Sequence, residues 1–242
     1  MQRVKKDSPA RMNSFVIFTL LCTWSVFASS PRDKWTSKHC SSESSSLYDV
    51  LWDDSQVIAD KTLETDFLKQ MANGTLEAER YINFTLQDIY YLVKVTELLK
   101  ALSIQPETHT DIKQFILDRY NSYKKFADYV LNQYLLKNAD DIKPSTAIAE
   151  YIQSYNDVMK EDHIYFAVAL LPCARLWLYV AEHLEITKGS PYYRFKSENE
   201  VGHPEKHYKD LLENHRSEID ESKAKNIFQK HMKHEYNFFR SS

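Results

Sequence analysis

The chain is 242 residues long and carries only three glycines, Gly74, Gly189 and Gly202. Glycine supplies the positive-φ turns that hairpins need, so a sheet-rich chain of this length would have almost nothing to turn with. Prolines are also sparse beyond the N-terminal region: Pro106, Pro144, Pro172, Pro191 and Pro204. Between these breaks apolar residues recur at helical spacing, and no long strict alternation occurs. The pattern predicts an all-α bundle with helices near 46–72, 76–103, 109–137, 145–160, 162–187, 204–215 and 217–239. Glu77 and Glu79 suit a first helical turn, and Thr108 with Asp111 resembles a capping box. Pro144-Ser145-Thr146 marks another helix start, Gly189 and Pro191 stop the fifth helix, and Pro204 opens the sixth.

The N-terminus reads as an export signal. Arg3, Lys5, Lys6 and Arg11 precede an apolar run from Phe15 to Phe27. That run is shorter than the ~20 residues a bilayer span needs. Val26-Phe27-Ala28 offers the small residues a signal peptidase reads, which predicts cleavage after Ala28 and a secreted product. Met12 is an alternative start, and an uncleaved anchor is the competing reading. No later segment reads as a membrane span. Residues 29–46 are Ser-rich and read as a disordered leader, leaving 47–242 as one helical domain. Asn73-Gly74-Thr75 and Asn83-Phe84-Thr85 are glycosylation sequons, and Asn73, beside a glycine turn, is the better acceptor. Cys22 leaves with the signal; Cys40, in the leader, could pair with Cys173 or bridge two chains.

Thirty-one basic residues against 34 acidic give a net charge of -3, so nothing supports binding a nucleic-acid backbone. The aromatic complement is rich in tyrosine, with 16 Tyr to 12 Phe and 4 Trp. Tyrosine joins an apolar ring to a polar tip, which suits either a core around a wet cavity or helices edged with Tyr.

Three reactive side chains stand where a purely structural helix would place apolar ones. Asp88 shares a stripe with Tyr81, Phe84, Leu92, Val95 and Leu99, and a carboxylate there needs a partner. An Asp bonded to a neighbouring helix would serve equally. Cys173 follows Pro172 inside a helical pattern that continues to Leu184, and an internal proline costs ~3 kcal/mol and bends a helix. The plain alternative is a small buried hydrophobe. Glu235 lies between Phe228, Met232 and Phe239 on one face. Burial there would raise its pKa towards that of a general acid-base, whereas a frayed terminal helix would leave it solvated. Metal binding has little support: of the histidines only Glu200-x-x-His203 has di-iron spacing, and Gly202 and Pro204 interrupt it. Gly-rich phosphate loops and Gly-x-Ser-x-Gly elbows are absent.

Four stretches, in order across 47–239, resemble the TenA family, also called thiaminase II, which has the haem-oxygenase-like fold. They are Leu51-Trp52 with Phe67-Leu68 and Asn73-Gly74-Thr75-Leu76; Tyr81 to Leu92 with its Gln87-Asp88-x-Tyr90-Tyr91-Leu92 core; Leu170-Leu171-Pro172-Cys173; and Phe228 with Glu235 and Phe238-Phe239. The resemblance implies that Cys173 attacks an aminopyrimidine ring, Glu235 protonates the adjacent ring nitrogen, and Asp88 holds the exocyclic amine. It places Tyr91, Tyr151, Trp177 and Phe84 at the substrate, with no cofactor and no metal. Trp177 stands where the family often has Tyr, and a further family tyrosine falls near Asn199. Thiamine or a related aminopyrimidine is the implied substrate, with water, an amine or a thiol as acceptor, and a homotetramer as the assembly. An aminopyrimidine salvage hydrolase and a non-catalytic pyrimidine-binding protein are the alternatives.

Overall fold

The computed structural model describes residues 45–242. The export segment, nearly all of the Ser-rich leader, Cys22 and Cys40 lie outside the described residues.

Ten helices and no strand occur among the described residues. The predicted helix over 46–72 is three: α1 (Leu47–Asp53), α2 (Gln56–Leu63) and α3 (Asp66–Asn73). The break between α2 and α3 falls at polar residues whose side chains compete for backbone partners. Thr65 donates its hydroxyl to the Thr62 carbonyl at 2.8 Å, and Thr62 donates to Ile58 at 2.9 Å. Ser46, the last residue of the expected leader, caps α1 by accepting from the Asp49 amide. Gly74 ends α3 in the left-handed region at φ 71°, and the Thr75 amide reaches back to the Gln70 carbonyl at 2.9 Å. Asn73 is exposed at this turn, and Asn83 is exposed on the following helix.

Helices α4 (Ala78–Ser103) and α5 (Thr110–Gln133) form a long pair. The expected Thr108 cap is not used. His109 occupies the N-cap position without a capping bond from its side chain, and Asp111 bonds the Ile112 amide instead. Helix α6 (Thr146–Val158) starts where expected, with Ser145 accepting from the Ile148 amide at 3.3 Å. Helix α7 (His163–His183) is apolar almost all round and is the central rod. It is long and apolar enough to cross a bilayer by length and composition, contrary to the sequence reading, but 72% of its apolar window is buried inside the bundle. The helix continues through Pro172 without interruption.

Helix α8 (Tyr193–Asn199), which sequence reading leaves as loop, is anchored by the buried Phe195 and Asn199. Helix α9 (Glu205–Asn214) precedes α10 (Glu221–Ser241), which packs along α7 and α6 and closes the bundle.

Candidate active site

Four helices deliver the chemistry to one place. The stripe on α4 that carries Phe84 and Leu92 into the core also carries Asp88 and Tyr91. Helix α6 supplies Tyr151 and Tyr155, α7 supplies Cys173 and Trp177, and α10 supplies Glu235 and Phe238. Asp88, Tyr91, Cys173 and Trp177 line the floor of a cleft with about 870 Å³ of empty space, counting its open mouth. Behind that floor is a narrow annex of about 160 Å³, lined by the same four residues with Tyr151, Glu235 and Phe238. The three reactive groups singled out in the sequence therefore meet in one hollow.

Glu235 is 1% exposed, and both its oxygens are engaged. Tyr151 donates its hydroxyl to Oε1 at 2.7 Å, and Trp177 donates its indole N–H to Oε2 at 3.0 Å. Burial raises the carboxyl above its ordinary range, while bonds from Trp177, Tyr151 and Cys173 pull it back. Those donors favour the carboxylate, so Glu235 is built to accept a proton.

The Cys173 thiol is pushed well up, first by burial and then by the charges of Glu235 and Asp88. It rests as a neutral thiol, with Glu235 as the neighbour able to take its proton. Asp88 is raised to about 7, first by burial and then by Glu235. Its carboxyl is only partly covered, because it opens on the cleft.

A run of phenols joins the cleft wall to the Glu235 carboxylate. The Tyr91 and Tyr155 hydroxyls are 2.8 Å apart, and Tyr155 stands 3.3 Å from both the Tyr151 hydroxyl and the Ala169 carbonyl. Burial holds all three phenols well above their ordinary pKa, so each keeps its proton and can donate. Beside them His231 is fully buried and bonded to Ser154 at 3.1 Å. Burial lowers its pKa well below the ordinary value, which keeps the ring neutral.

Phe84 does not line either hollow. It stacks on Phe238 at 4.7 Å and on Trp177 at 5.8 Å, and so stands one layer behind the wall. Tyr151 lines the annex but not the main cleft.

A family model for the TENA/THI-4/PQQC family matches residues 52–242. The chain belongs to that family. Among curated proteins none matches it. Solved TenA structures share its haem-oxygenase-like fold. A TenA homologue from P. horikoshii OT3 is 24% identical with a TM-score of 0.62, covering 81% of this chain and 97% of the other. One from Pyrococcus furiosus is 17% identical with a TM-score of 0.64, covering 80% and 98%. A protein of Silicibacter sp. TM1040 described as a TenA family transcription regulator is 13% identical with a TM-score of 0.67, covering 81% and 95%.

In this TenA-family chain the outer cleft holds residues that sequence reasoning missed. Arg119 and Tyr123 enter from α5, and His207 and Tyr208 from α9. Their signal is present: Arg119, Tyr123 and Phe126 follow at offsets of four and three on one face. Asn199, near which the resemblance implies a family tyrosine, is 1% exposed on the cleft wall and donates to the Phe195 carbonyl at 2.7 Å.

Proposed function

We propose that the protein cleaves the bond between an aminopyrimidine methylene and its leaving group, with thiamine as substrate and Cys173 as nucleophile. The observation that carries this reading is the shared annex of Cys173, Glu235 and Asp88, with both Glu235 oxygens held by donors.

The resting charges suit the chemistry. Glu235 takes the Cys173 proton, leaving a thiolate, and gives that proton to the pyrimidine nitrogen beside the attacked carbon. Protonation makes the ring electrophilic, and sulfur adds to it. Electrons returning from the adduct expel the thiazolium as a neutral thiazole. A second nucleophile, water or an amine or thiol, then adds at the methylene and releases its own proton to solvent; sulfur leaves, and the ring nitrogen returns the first proton to Cys173 through Glu235. The Asp88 carboxylate accepts from the exocyclic amine and sets the ring's orientation. The Trp177 face and Tyr91 bound the ring, while Tyr151 acts through Glu235. The annex is too narrow to admit a water molecule as it stands. The ring therefore enters from the cleft side and displaces side chains, which favours a flat ligand.

The export signal supports an extracellular, degradative role over salvage, with glycans at Asn73 and Asn83. The purified chain should destroy thiamine, read by mass spectrometry with water, amine and thiol acceptors in parallel. Faster turnover of free aminopyrimidines than of thiamine would favour salvage. Stabilisation by thiamine without any product would replace the enzyme by a binding protein.

A further inference from the structure

A second cluster of reactive side chains lies away from the annex, where the start of α5 meets the connection between α9 and α10. His109, His215 and Glu218 each offer one ligand atom, and the three atoms lie within 4.8 Å of one another. His109 Nε2 is 3.2 Å from Glu218 Oε2, and His215 Nδ1 is 3.7 Å from the same oxygen. For ligands ~2.0–2.1 Å from a zinc ion, the edge of a coordination tetrahedron is about 3.3 Å. These two separations bracket that edge closely.

The outward nitrogens are held as metal-bound imidazoles usually are. His109 Nδ1 faces Glu107 Oε1 at 3.3 Å, and His215 Nε2 faces Asp111 Oδ2 at 2.9 Å. A carboxylate on the far nitrogen fixes the tautomer and turns the bare lone pair inward. Glu107 is itself held by His163 Nδ1 at 2.9 Å. So oriented, both rings present their second nitrogen to the Glu218 carboxylate oxygen. His215 makes this acute, because the residue is 5% exposed and its Nδ1 has no hydrogen-bond partner. A buried polar atom without a partner is costly, and a ligand seated against it would remove that cost.

We propose that His109, His215 and Glu218 form a binding site for a divalent transition ion of the zinc type, with a fourth position open to solvent. Two imidazoles and one carboxylate suit such an ion better than calcium or magnesium, which favour all-oxygen shells. The ligands come from segments about a hundred residues apart, which is why spacing along the chain gives no hint of the site. The ion would clasp α5 to the end of α9. Those two helices carry Arg119, Tyr123, His207 and Tyr208 into the cleft, so the clasp would fix two cleft walls.

The test is Zn2+ uptake by the chelator-stripped full chain in titration calorimetry, independent of any turnover. One ion per chain is expected, with binding lost in His109→Ala and His215→Ala and kept in Cys173→Ser. Asp111→Asn should weaken it about 10- to 100-fold. Co2+ should give visible ligand-field bands that vanish in the same histidine variants. His109 is half-exposed, so its variant reports on the ligand without emptying the core. No saturable Zn2+ uptake by the wild type, or wild-type affinity in His109→Ala, would overturn the proposal.

Discussion

Trp177 donates its indole N–H to Oε2 of Glu235 at 3.0 Å, from the position where the resemblance to the TenA family implies a tyrosine. Loss of the family hydroxyl thus does not leave the glutamate short of a donor. Trp177→Phe keeps an aromatic face but removes the N–H. Glu235 then loses a bond that lowers its pKa, and the thiol loses part of its base. Turnover should fall about 10-fold, in keeping with the loss of one hydrogen bond to a charged group. The acid limb of the pH–rate profile should move to higher pH. Steady-state kinetics across pH checks both, and an unshifted profile would remove Trp177 from the acid–base unit.

Cys173→Ser should abolish turnover, with a loss on the order of 10³-fold or more. A serine hydroxyl is a far weaker acid, and a carboxylate held by two donors cannot take its proton. The fold should survive, because the side chain only partly faces the core and the exchange is nearly isosteric. Circular dichroism and turnover by mass spectrometry separate the two effects. Serine-supported turnover at near wild-type rates would exclude covalent attack by sulfur.

The path from sequence to site was open where a residue's own helix determined its environment. Asp88 and Glu235 break apolar stripes of period 3.6, which turns both inward, although the stripe alone left a solvated Glu235 on a frayed helix open. The hydroxyl run through Tyr155 does not. It depends on how α6 rolls against α7 and α10, which no single stripe encodes. The same limit explains Phe84. Its place on the Asp88 stripe puts it in the core but cannot say whether it faces a hollow or sits behind Trp177. Residues 46–72 read as one helix because their apolar spacing runs on, while Thr62 and Thr65 turn the backbone through side-chain bonds that spacing does not show.

Gly74→Ala tests the end of α3. A Cβ there meets nothing within 4 Å, so the cost is the backbone's alone. At φ 71° an L-residue pays about 1–2 kcal/mol, which for a domain of this size lowers Tm by roughly 2–4 °C per kcal/mol. Calorimetry should find that loss with activity intact, and Gly74→Asn should recover part of it, since asparagine tolerates the left-handed region.

Asp88→Asn should stabilise the protein while impairing it. In the folded chain the Asp88 carboxyl titrates near 7, against 3.8 ordinarily. Below about 4 it is protonated in both folded and unfolded chains and costs nothing. As pH rises towards 7 the unfolded chain ionises freely while the folded one resists, so wild-type stability declines through that window. Above about 7 the full penalty stands, on the order of 4 kcal/mol as an upper limit and less because the carboxyl opens on the cleft. Asparagine never ionises, so the variant's advantage should be near zero at pH 4, grow through pH 7 and then level off. Catalysis should run the other way. Wild-type activity should rise with pH through about 7 as Asp88 becomes the acceptor for the exocyclic amine, and the variant should lose that limb together with most of its turnover. Denaturant melts and pH–rate profiles on the two proteins decide the matter: equal stability at pH 8 would mean that Asp88 is not held in a charge-averse site.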